Sequence, residues 1–341
     1  MSNYQLETAA VATARHRTTY LAAGPSDGPL IFFLHGAPDH SIFFRRQLEY
    51  FADRGWRCIA PDMRGLGESS VPSSIAAYSV REIVTDMIEL HDALGGRPAI
   101  WVGHDWGGAF AWSIAAQHPE RCRGVVNLST PYLARGFALS TMVSLVDREL
   151  YPEDMYPVGQ WDYLLFYNEN FARAVADFEA DVTATFAVLL RAAPPIDLSV
   201  PALSASIRRQ GGWFGDARRA PSMPRDEALM SDEDFATVVA SYERTGFSSA
   251  IAMYLNDVDN LAYAAEAPNF GRVLAPSLFI HAGLDPISNT VRGRMAEPMR
   301  EDVLDLTEVV IEAGHLIMLE RPEETNHVIE GWLAAVDERS R

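Results

Sequence analysis

Gly103-His104-Asp105-Trp106-Gly107-Gly108 is the segment from which the fold of this chain is most readily inferred. It follows a short apolar run at 98–102 and precedes a helix-like run at 109–117. A nucleophile flanked by glycines two residues away on each side, between a strand and a helix, is the pattern of a nucleophile elbow. Glycines are favoured there because side chains beside the strained turn would collide with the incoming helix. The segment therefore predicts a nucleophile at Asp105.

An aspartate in this position restricts the reactions that the site could catalyse. A carboxylate that attacks an ester or amide carbonyl forms an anhydride, which is an unfavourable covalent intermediate. Attack on a saturated carbon instead forms an alkyl ester of the enzyme, which water can later hydrolyse. Asp105 thus predicts covalent catalysis at an sp3 carbon that bears a leaving oxygen or halogen. From this segment alone, the alternative is an ordinary aspartate that caps a helix.

Strand and helix patterns alternate along the first part of the chain and return near its end. This rhythm predicts an α/β protein with a mostly parallel, doubly wound sheet. Residues 131–270 are mostly helical in pattern, so we expect a helical cap inserted into one core domain built from 1–130 and 271–341. The expected strands are 29–34, 56–60, 98–102, 124–128, 277–281 and 306–311, and the clearest expected helices are 41–54, 80–94, 109–117, 289–300 and 322–336.

Two further residues complete a triad in the chain order nucleophile, acid, base. Asp285 follows the expected strand at 277–281, and His315 follows the last one. Asp285 would accept the Nδ1 proton of His315, leaving Nε2 free as a general base. Taken singly, an Asp-Pro pair is usually a turn and a Gly-His pair is often a packed loop. Their order and positions together favour the triad.

An oxyanion hole is expected in His35-Gly36-Ala37-Pro38, directly after the strand at 29–34. The donors would be the backbone N–H groups of Ala37 and Trp106. Pro38 has no N–H to offer, which favours Ala37. An ordinary turn at the end of a strand is the alternative.

Composition excludes several classes of function. The chain has 341 residues, of which 48% are hydrophobic and 22% charged, as in a globular enzyme. Its formal net charge of −18 argues against nucleic acid and anionic membranes as partners. No apolar run approaches the roughly 20 residues of a membrane helix, and no signal peptide is evident. With only Cys58 and Cys122, expected to be packing thiols, we expect a cytoplasmic protein.

No metal or organic cofactor is expected. His315 and His327 are separated by the start of a helix, and the remaining histidines offer no convincing ligand set. We expect His16, His40, His91 and His118 at the surface. The sequence leaves open whether the chain forms a homodimer.

These motifs together resemble those of the epoxide hydrolases with an α/β-hydrolase fold, over residues 25 to 335. The segments that carry the resemblance are 35–38, 62–69, 103–108, 284–286 and 314–315. The resemblance implies a core with an inserted cap, and conversion of an epoxide and water to a vicinal diol. It also implies that two cap tyrosines protonate the opening ring. By this similarity they are Tyr163, in Trp161-Asp162-Tyr163, and Tyr254, in Met253-Tyr254-Leu255-Asn256.

Phenols suit this role because they are still protonated at neutral pH and can donate to a departing alkoxide. The alternative is that Tyr163 and Tyr254 are packing aromatics. Tyr167, Tyr242 and Tyr263 are nearby competitors. We expect a pocket for a small apolar epoxide, besides water, with a wall that includes His35, Pro38, Trp106, Phe110, Trp161, Phe214 and Leu316.

Two other functions compete with epoxide hydrolysis. Haloalkane dehalogenases resemble this core and nucleophile, but a halide needs N–H donors rather than an acid. Trp106 could supply one indole donor. For the second donor, Ala37 offers no side-chain group, although Trp161 or Trp213 could substitute. A non-enzymatic ligand receptor on the same fold is the second alternative, since a fold does not determine function.

Overall fold

A mostly parallel sheet of eight strands runs through the molecule, in the order β1-β2-β4-β3-β5-β6-β7-β8. The structure, a computed structural model, describes residues 4–339. Strands β3 to β8 pair in parallel, whereas β2 pairs antiparallel with both β1 and β4. The predicted mostly parallel α/β fold is confirmed. The strands are β1 Glu7–Ala12, β2 Arg17–Ala23, β3 Leu30–Leu34, β4 Arg57–Pro61, β5 Ala99–His104, β6 Cys122–Leu128, β7 Ser277–Ala282 and β8 Leu306–Ile311.

Helices connect the strands and form most of the chain between β6 and β7. In chain order, the α-helices of the described residues are α1 Arg45–Ala52, α2 Val80–Ala93, α3 Trp106–Gln117, α4 Leu139–Val143, α5 Asp162–Glu169, α6 Phe171–Glu179, α7 Val182–Leu189, α8 Ile207–Gln210, α9 Asp232–Thr245, α10 Ser248–Ala252, α11 Asp257–Ala265, α12 Glu297–Asp302, α13 Ile317–Glu320 and α14 Pro322–Arg339. Within residues 4–339, none of the helices combines the length and apolar character needed to cross a membrane.

The central strands are buried along their whole length. Every residue of β3, β5 and β7 is buried. Helices cover both faces of a parallel sheet, so such strands are continuous apolar runs rather than alternating ones. This is why the sequence predicted them to within two residues. The helices α4 to α11 lie where a cap was expected, and the cap as a separate domain over 131–270 stays a prediction.

Strands β1 and β2 were not expected from the sequence. The edge strand β1 is half exposed and consists of Thr, Ala, Val and Glu, so its alternation of apolar and polar residues is weak. Its partner β2 carries two threonines, Thr18 and Thr19, that are buried on pairing. The antiparallel hairpin therefore depends on tertiary contacts that local sequence does not report.

The helix expected at 289–300 was wrong over most of its length. Residues 289–296 form turns, and α12 begins only at Glu297. Asn289 has a positive φ of 39°, which a helix does not permit. Pro298 lies in the first turn of α12, where its missing N–H costs no hydrogen bond.

The turn between β5 and α3 is packed so closely that it requires glycine. A Cβ on Gly107 would lie 1.9 Å from the carbonyl oxygen of Leu34 in β3. A Cβ on Gly108 would lie 2.3 Å from Oδ1 of Asn127 in β6. The start of α3 therefore rests directly on two neighbouring strands, which holds Asp105 above the end of the sheet.

Replacement of Gly107 by alanine is expected to destabilise the protein by about 2 kcal/mol or more, because the new methyl group meets a backbone oxygen that cannot move aside. Gly331, exposed in α14 with no atom near its Cβ position, is the matched control. Gly331→Ala should stabilise the protein by about 0.5–1 kcal/mol, since alanine favours the helix. Urea unfolding of both variants measures the difference. Equal effects at the two positions would contradict the close packing described for the turn.

Candidate active site

Three polar side chains meet at the carboxyl ends of neighbouring strands. Asp105 follows β5, Asp285 follows β7, and His315 follows β8. The Nδ1 atom of His315 lies 2.8 Å from Oδ2 of Asp285, and its Nε2 atom lies 3.5 Å from Oδ2 of Asp105. Because these strands are parallel, their ends lie at one edge of the sheet, where sites in open α/β sheets collect. The structure thus brings together the three residues selected from the sequence.

The backbone of Asp105 is strained. Its φ is 53° and its ψ is −125°, a conformation that L-residues rarely adopt. One oxygen of its carboxylate, Oδ1, accepts a hydrogen bond of 2.9 Å from the N–H of Ala37. A Cβ on Gly36 would lie 2.2 Å from the same oxygen, so only glycine allows the loop this close. The strained turn and the loop together leave Oδ2 facing His315.

Asp285 is held as a carboxylate. It is buried, and its Oδ1 accepts hydrogen bonds from the N–H groups of Ile287 and Ser288, at 2.9 and 3.3 Å. Burial alone raises the pKa of Asp285, but His315 and these two N–H groups outweigh that effect and lower it. Asp285 therefore remains charged beside His315 and keeps a proton on its Nδ1 atom.

His315 lies between two carboxylates. Burial lowers the pKa of this imidazole, but Asp285 and Asp105 outweigh burial and raise the pKa well above its ordinary value. The imidazole is consequently protonated at neutral pH while the Asp105 carboxylate is present. If that carboxylate loses its charge, the pKa of His315 must fall.

Two buried residues that the sequence did not single out hold this site together. His104 has Nδ1 3.0 Å from Oδ2 of Asp39, and its Nε2 donates to the backbone carbonyl of His315 at 2.8 Å. Asp39 also accepts a hydrogen bond from the N–H of Gly36 at 3.0 Å. His104 therefore connects the loop that carries Ala37 to the loop that carries His315. The only indication of their roles in the sequence was position, because Asp39 directly follows 35–38 and His104 directly precedes Asp105.

A cavity of about 220 Å³ opens onto Asp105 and His315. Its wall is mostly apolar, and its polar side chains include the three phenols of Tyr163, Tyr167 and Tyr254. Ala37, Pro38, Trp106 and Trp161 line it, as do several residues that the sequence did not suggest. Those residues include Leu133, Phe137, Met142, Leu164, Phe178, Leu189, Ile287 and Met295. Trp213, considered from the sequence as a halide donor, also lines the cavity.

The phenols in the cavity are held in their neutral form. Burial, and then the Asp105 carboxylate, raise the pKa of Tyr163 and of Tyr254 well above the ordinary value of tyrosine. The hydroxyl of Tyr254 donates to the carbonyl oxygen of Ala37 at 2.9 Å. Tyr163 packs against Tyr254 with ring centroids 5.8 Å apart. Two proton-bearing groups thus lie together beside Asp105.

The other tyrosines named as competitors differ in position. Tyr167 lines the cavity, one helical turn after Tyr163 on α5. Tyr242 is buried outside the cavity, where its hydroxyl donates to the backbone carbonyl of Asp39. Tyr263 lines a separate small cavity next to α11.

Four residues expected in the pocket wall do not line the cavity, so the prediction was wrong for them. His35 is buried in its loop, where Nε2 accepts from the N–H of Met63 at 3.0 Å. Phe110 is fully buried beneath Trp106, and Leu316 is buried in the core. Phe214 lies beside an outer cavity and packs edge-on against Phe178. A sequence motif locates a loop, but it does not report which side chain of the loop faces inward.

Three histidines expected at the surface are buried instead. His16, His40 and His91 are each less than a tenth exposed. Their rings pack in the fold and make local contacts. His40 accepts from the N–H of Ile42, and His91 donates to the carbonyl of Arg97. Over residues 4–339, no group of three or more His, Cys, Asp or Glu side chains is arranged to hold a metal ion.

The chain is similar to known proteins over most of its length. Residues 29–322 match the family described as having the alpha/beta hydrolase fold. Epoxide hydrolase A of Mycobacterium tuberculosis is 30% identical over 331 residues, covering 95% of this chain and 96% of that protein. Bifunctional epoxide hydrolase 2 of Sus scrofa is 29% identical over 307 residues, covering 90% of this chain but only 51% of the pig protein. The chain therefore spans about half the length of that relative.

A solved structure of an epoxide hydrolase is also similar to this chain. Epoxide hydrolase A from Mycobacterium thermoresistibile superimposes with a TM-score of 0.79 at 26% identity. The alignment covers 97% of this chain and 98% of the other. The similarity thus extends through both the sheet and the helices between β6 and β7.

Removal of the Asp105 charge is expected to lower the pKa of His315, because a negative neighbour favours the protonated imidazole. The variant is Asp105→Asn, which keeps the shape of the side chain. Imidazole resonances followed by NMR across pH give the pKa in each protein. The exposed Asp154→Asn variant, which removes one charge elsewhere, is the control and should leave the His315 titration in place. An unchanged pKa in Asp105→Asn would mean that the two side chains are not electrostatically coupled.

Proposed function

Because the chain belongs to the α/β-hydrolase family and, within it, to the epoxide hydrolases, we propose that it converts an epoxide and water to a vicinal diol. The reaction proceeds through a hydroxyalkyl ester on Asp105. One observation carries the proposal. The carboxylate of Asp105 is held between the N–H of Ala37 and the imidazole of His315, at the floor of an apolar cavity that contains phenols.

Ring opening is the first step. Oδ2 of Asp105 attacks the less hindered epoxide carbon, the C–O bond breaks, and its electron pair goes to the ring oxygen. Tyr163 and Tyr254 both hydrogen-bond to that oxygen, and one of them gives it a proton and becomes a phenolate, so no alkoxide is left in the apolar cavity. Their neutral phenols share the cavity wall with Asp105 and add no positive charge beside its carboxylate.

Hydrolysis of the ester is the second step. Alkylation removes the charge of Asp105, so the pKa of His315 falls. The imidazolium returns its proton to the phenolate left by ring opening, and Nε2 becomes a base. His315 takes a proton from water, and the resulting hydroxide attacks the carbonyl carbon of the ester. The negative charge that develops on Oδ1 is bound by the N–H groups of Ala37 and Trp106. On collapse, the bond from the carbonyl carbon to the diol oxygen breaks, and that oxygen takes the proton of the carboxyl group just formed. The diol leaves, and the Asp105 carboxylate and the protonated His315 are restored.

The substrate is a small apolar epoxide, and water is the only other reactant. The wall of the cavity supports this choice, because aromatic and aliphatic side chains make up most of it. Every step described uses side chains and N–H groups of the chain itself, so it requires neither a metal nor an organic cofactor.

Haloalkane dehalogenation remains the main alternative, and one contact weighs against it. A departing halide needs N–H donors directed into the cavity. The indole N–H of Trp213 is already donated to the hydroxyl of Tyr167 at 2.9 Å, and Ala37 has no side-chain donor. The indole nitrogen of Trp161 is buried and makes no hydrogen bond to the described residues. The phenols, by contrast, suit an alkoxide.

Turnover of styrene oxide and butyl bromide, measured side by side, distinguishes these functions. We expect diol from styrene oxide, detected by chromatography, and no bromide release. The physical reason is that the cavity supplies acids rather than a halide site. Bromide release without diol would assign dehalogenation and leave the tyrosines as packing residues. Binding of the epoxide, seen as thermal stabilisation, without either product would favour a receptor.

The His315→Gln variant is expected to accumulate an ester on Asp105. Alkylation needs no base, whereas hydrolysis does, so the first step proceeds and the second stops. Mass spectrometry of the intact protein, and then of the peptide that contains Asp105, should show the added mass of one epoxide. Asp105→Ala is the control and should form no adduct. Rapid diol release by His315→Gln would contradict the role given to His315.

Tyr254→Phe, added to the His315→Gln variant, should slow adduct formation about tenfold or more, because one of the two proton donors is lost. Tyr78→Phe is the matched control, since Tyr78 is a buried phenol whose hydroxyl bonds to the carbonyl of Pro72 outside the cavity. Equal rates of adduct formation in the two variants would make Tyr254 a packing residue.

A further inference from the structure

Three phenols, rather than two, surround the cavity. The ring centroids of Tyr163 and Tyr167 are 5.6 Å apart, those of Tyr167 and Tyr254 are 5.4 Å apart, and those of Tyr163 and Tyr254 are 5.8 Å apart. The three rings therefore form a nearly equilateral triangle in the wall. Protonation of one departing oxygen occupies the two phenols proposed above, and leaves Tyr167 without a role.

The hydroxyl of Tyr167 is oriented by a neighbour. The indole nitrogen of Trp213 donates a hydrogen bond of 2.9 Å to the phenol oxygen. An indole N–H can only donate, so in this contact the Tyr167 oxygen is the acceptor and its own proton points elsewhere. Within residues 4–339, the structure gives that proton no acceptor, whereas the proton of Tyr254 is bound by the carbonyl of Ala37.

The O–H group of Tyr167, which has no acceptor in an apolar wall, favours binding of a ligand oxygen. Burial of an O–H group without an acceptor is unfavourable, and a ligand oxygen that accepts the proton removes this cost. Burial raises the pKa of Tyr167, as does the more distant influence of Asp105, and the contact with Trp213 only partly offsets this. The phenol therefore stays protonated and acts as a neutral donor throughout the pH range in which the protein would work.

We propose that Tyr167 is a specificity-determining residue, and that the preferred substrates are epoxides that carry a second acceptor oxygen close to the ring, such as an ether or carbonyl oxygen. This inference rests on the proposed function and names the substrate class for the same site. Tyr167 donates to the second oxygen, while Tyr163 and Tyr254 serve the ring oxygen. Trp213 positions Tyr167 by occupying the acceptor side of its hydroxyl.

A matched pair of epoxides tests the proposal. Phenyl glycidyl ether has an ether oxygen one methylene away from the oxirane ring, and phenethyl oxirane has a methylene in place of that oxygen. Binding is measured by calorimetry on Asp105→Ala, in which no ester can form. We expect the ether to bind about five- to tenfold more tightly, as one hydrogen bond between neutral groups allows. Equal affinities, or no measurable affinity for the ether, would overturn the proposal.

The role of the phenol is then tested on the same background. Asp105→Ala with Tyr167→Phe should lose the preference for the ether, and Asp105→Ala with Trp213→Phe should reduce it, since the hydroxyl is no longer oriented. Asp105→Ala with Tyr78→Phe, which removes a buried hydroxyl elsewhere, should keep it. A preference that survives Tyr167→Phe would assign the recognition to another group and overturn the proposal.

Turnover by the otherwise unaltered protein separates this inference from the proposed function. If the unaltered protein hydrolyses neither epoxide, the hydrolase function fails, yet the binding comparison still decides whether Tyr167 recognises the second oxygen. If both epoxides are hydrolysed, the ratio of their kcat/KM values should fall about five- to tenfold in Tyr167→Phe. An equal loss of kcat for both compounds would instead make Tyr167 a third ring-opening acid, and would also overturn the proposal.

Discussion

The strained backbone at Asp105 is the constraint on which the rest of the structure depends. A residue with a positive φ would relax if its neighbours allowed it, but the first turn of α3 is packed against the carbonyl of Leu34 and the side chain of Asn127. The N–H of Ala37 holds the carboxylate from the other side. The sheet therefore supports a conformation that would otherwise cost of order 1–3 kcal/mol. In return, the carboxylate is directed away from its own helix and into the cavity, where it can reach a ligand.

The charges of Asp105 and Asp285 control the protonation of His315, which changes when Asp105 is alkylated. His315 is flanked by two carboxylates, and only one of them, Asp105, reacts in the proposed mechanism. While both are charged, the imidazole is protonated and cannot act as a base. Ester formation removes one charge and leaves Asp285, which still orients the ring. The order of the two steps then follows from electrostatics: water is activated only after the nucleophile has been alkylated. His104 supports this order because it connects the loops of Ala37 and His315 through buried hydrogen bonds.

The sequence predicted those features that depend on residues close together in the chain. The buried strands, the elbow and the positions of Asp105, Asp285 and His315 relative to strand ends all follow from short patterns, and the structure brings these residues together. The patterns failed where tertiary packing decides, as in the hairpin of β1 and β2 and in the turns at 289–296. They also failed for individual side chains, because a motif that locates a loop does not determine which of its residues faces a cavity. His35 and Phe110 support the loop and the helix from behind, whereas Trp213, a distant residue in sequence, reaches the cavity wall.

The choice of phenols as acids follows from the charge of the nucleophile. The Asp105 carboxylate already faces the imidazole of His315, so an imidazolium or ammonium group as the ring-opening acid would add a second positive charge beside it and reduce its ability to attack. A carboxylic acid would compete with Asp285 for His315. A phenol is neutral, and both burial and the nearby carboxylate raise its pKa, so it retains its proton until an alkoxide begins to form. The same reasoning applies to Tyr167, whose oxygen is already bound by the indole of Trp213. In a cavity whose carboxylate already faces one imidazole, neutral donors can bind a substrate oxygen without adding a further charge beside the nucleophile, and the phenols of this wall meet that requirement.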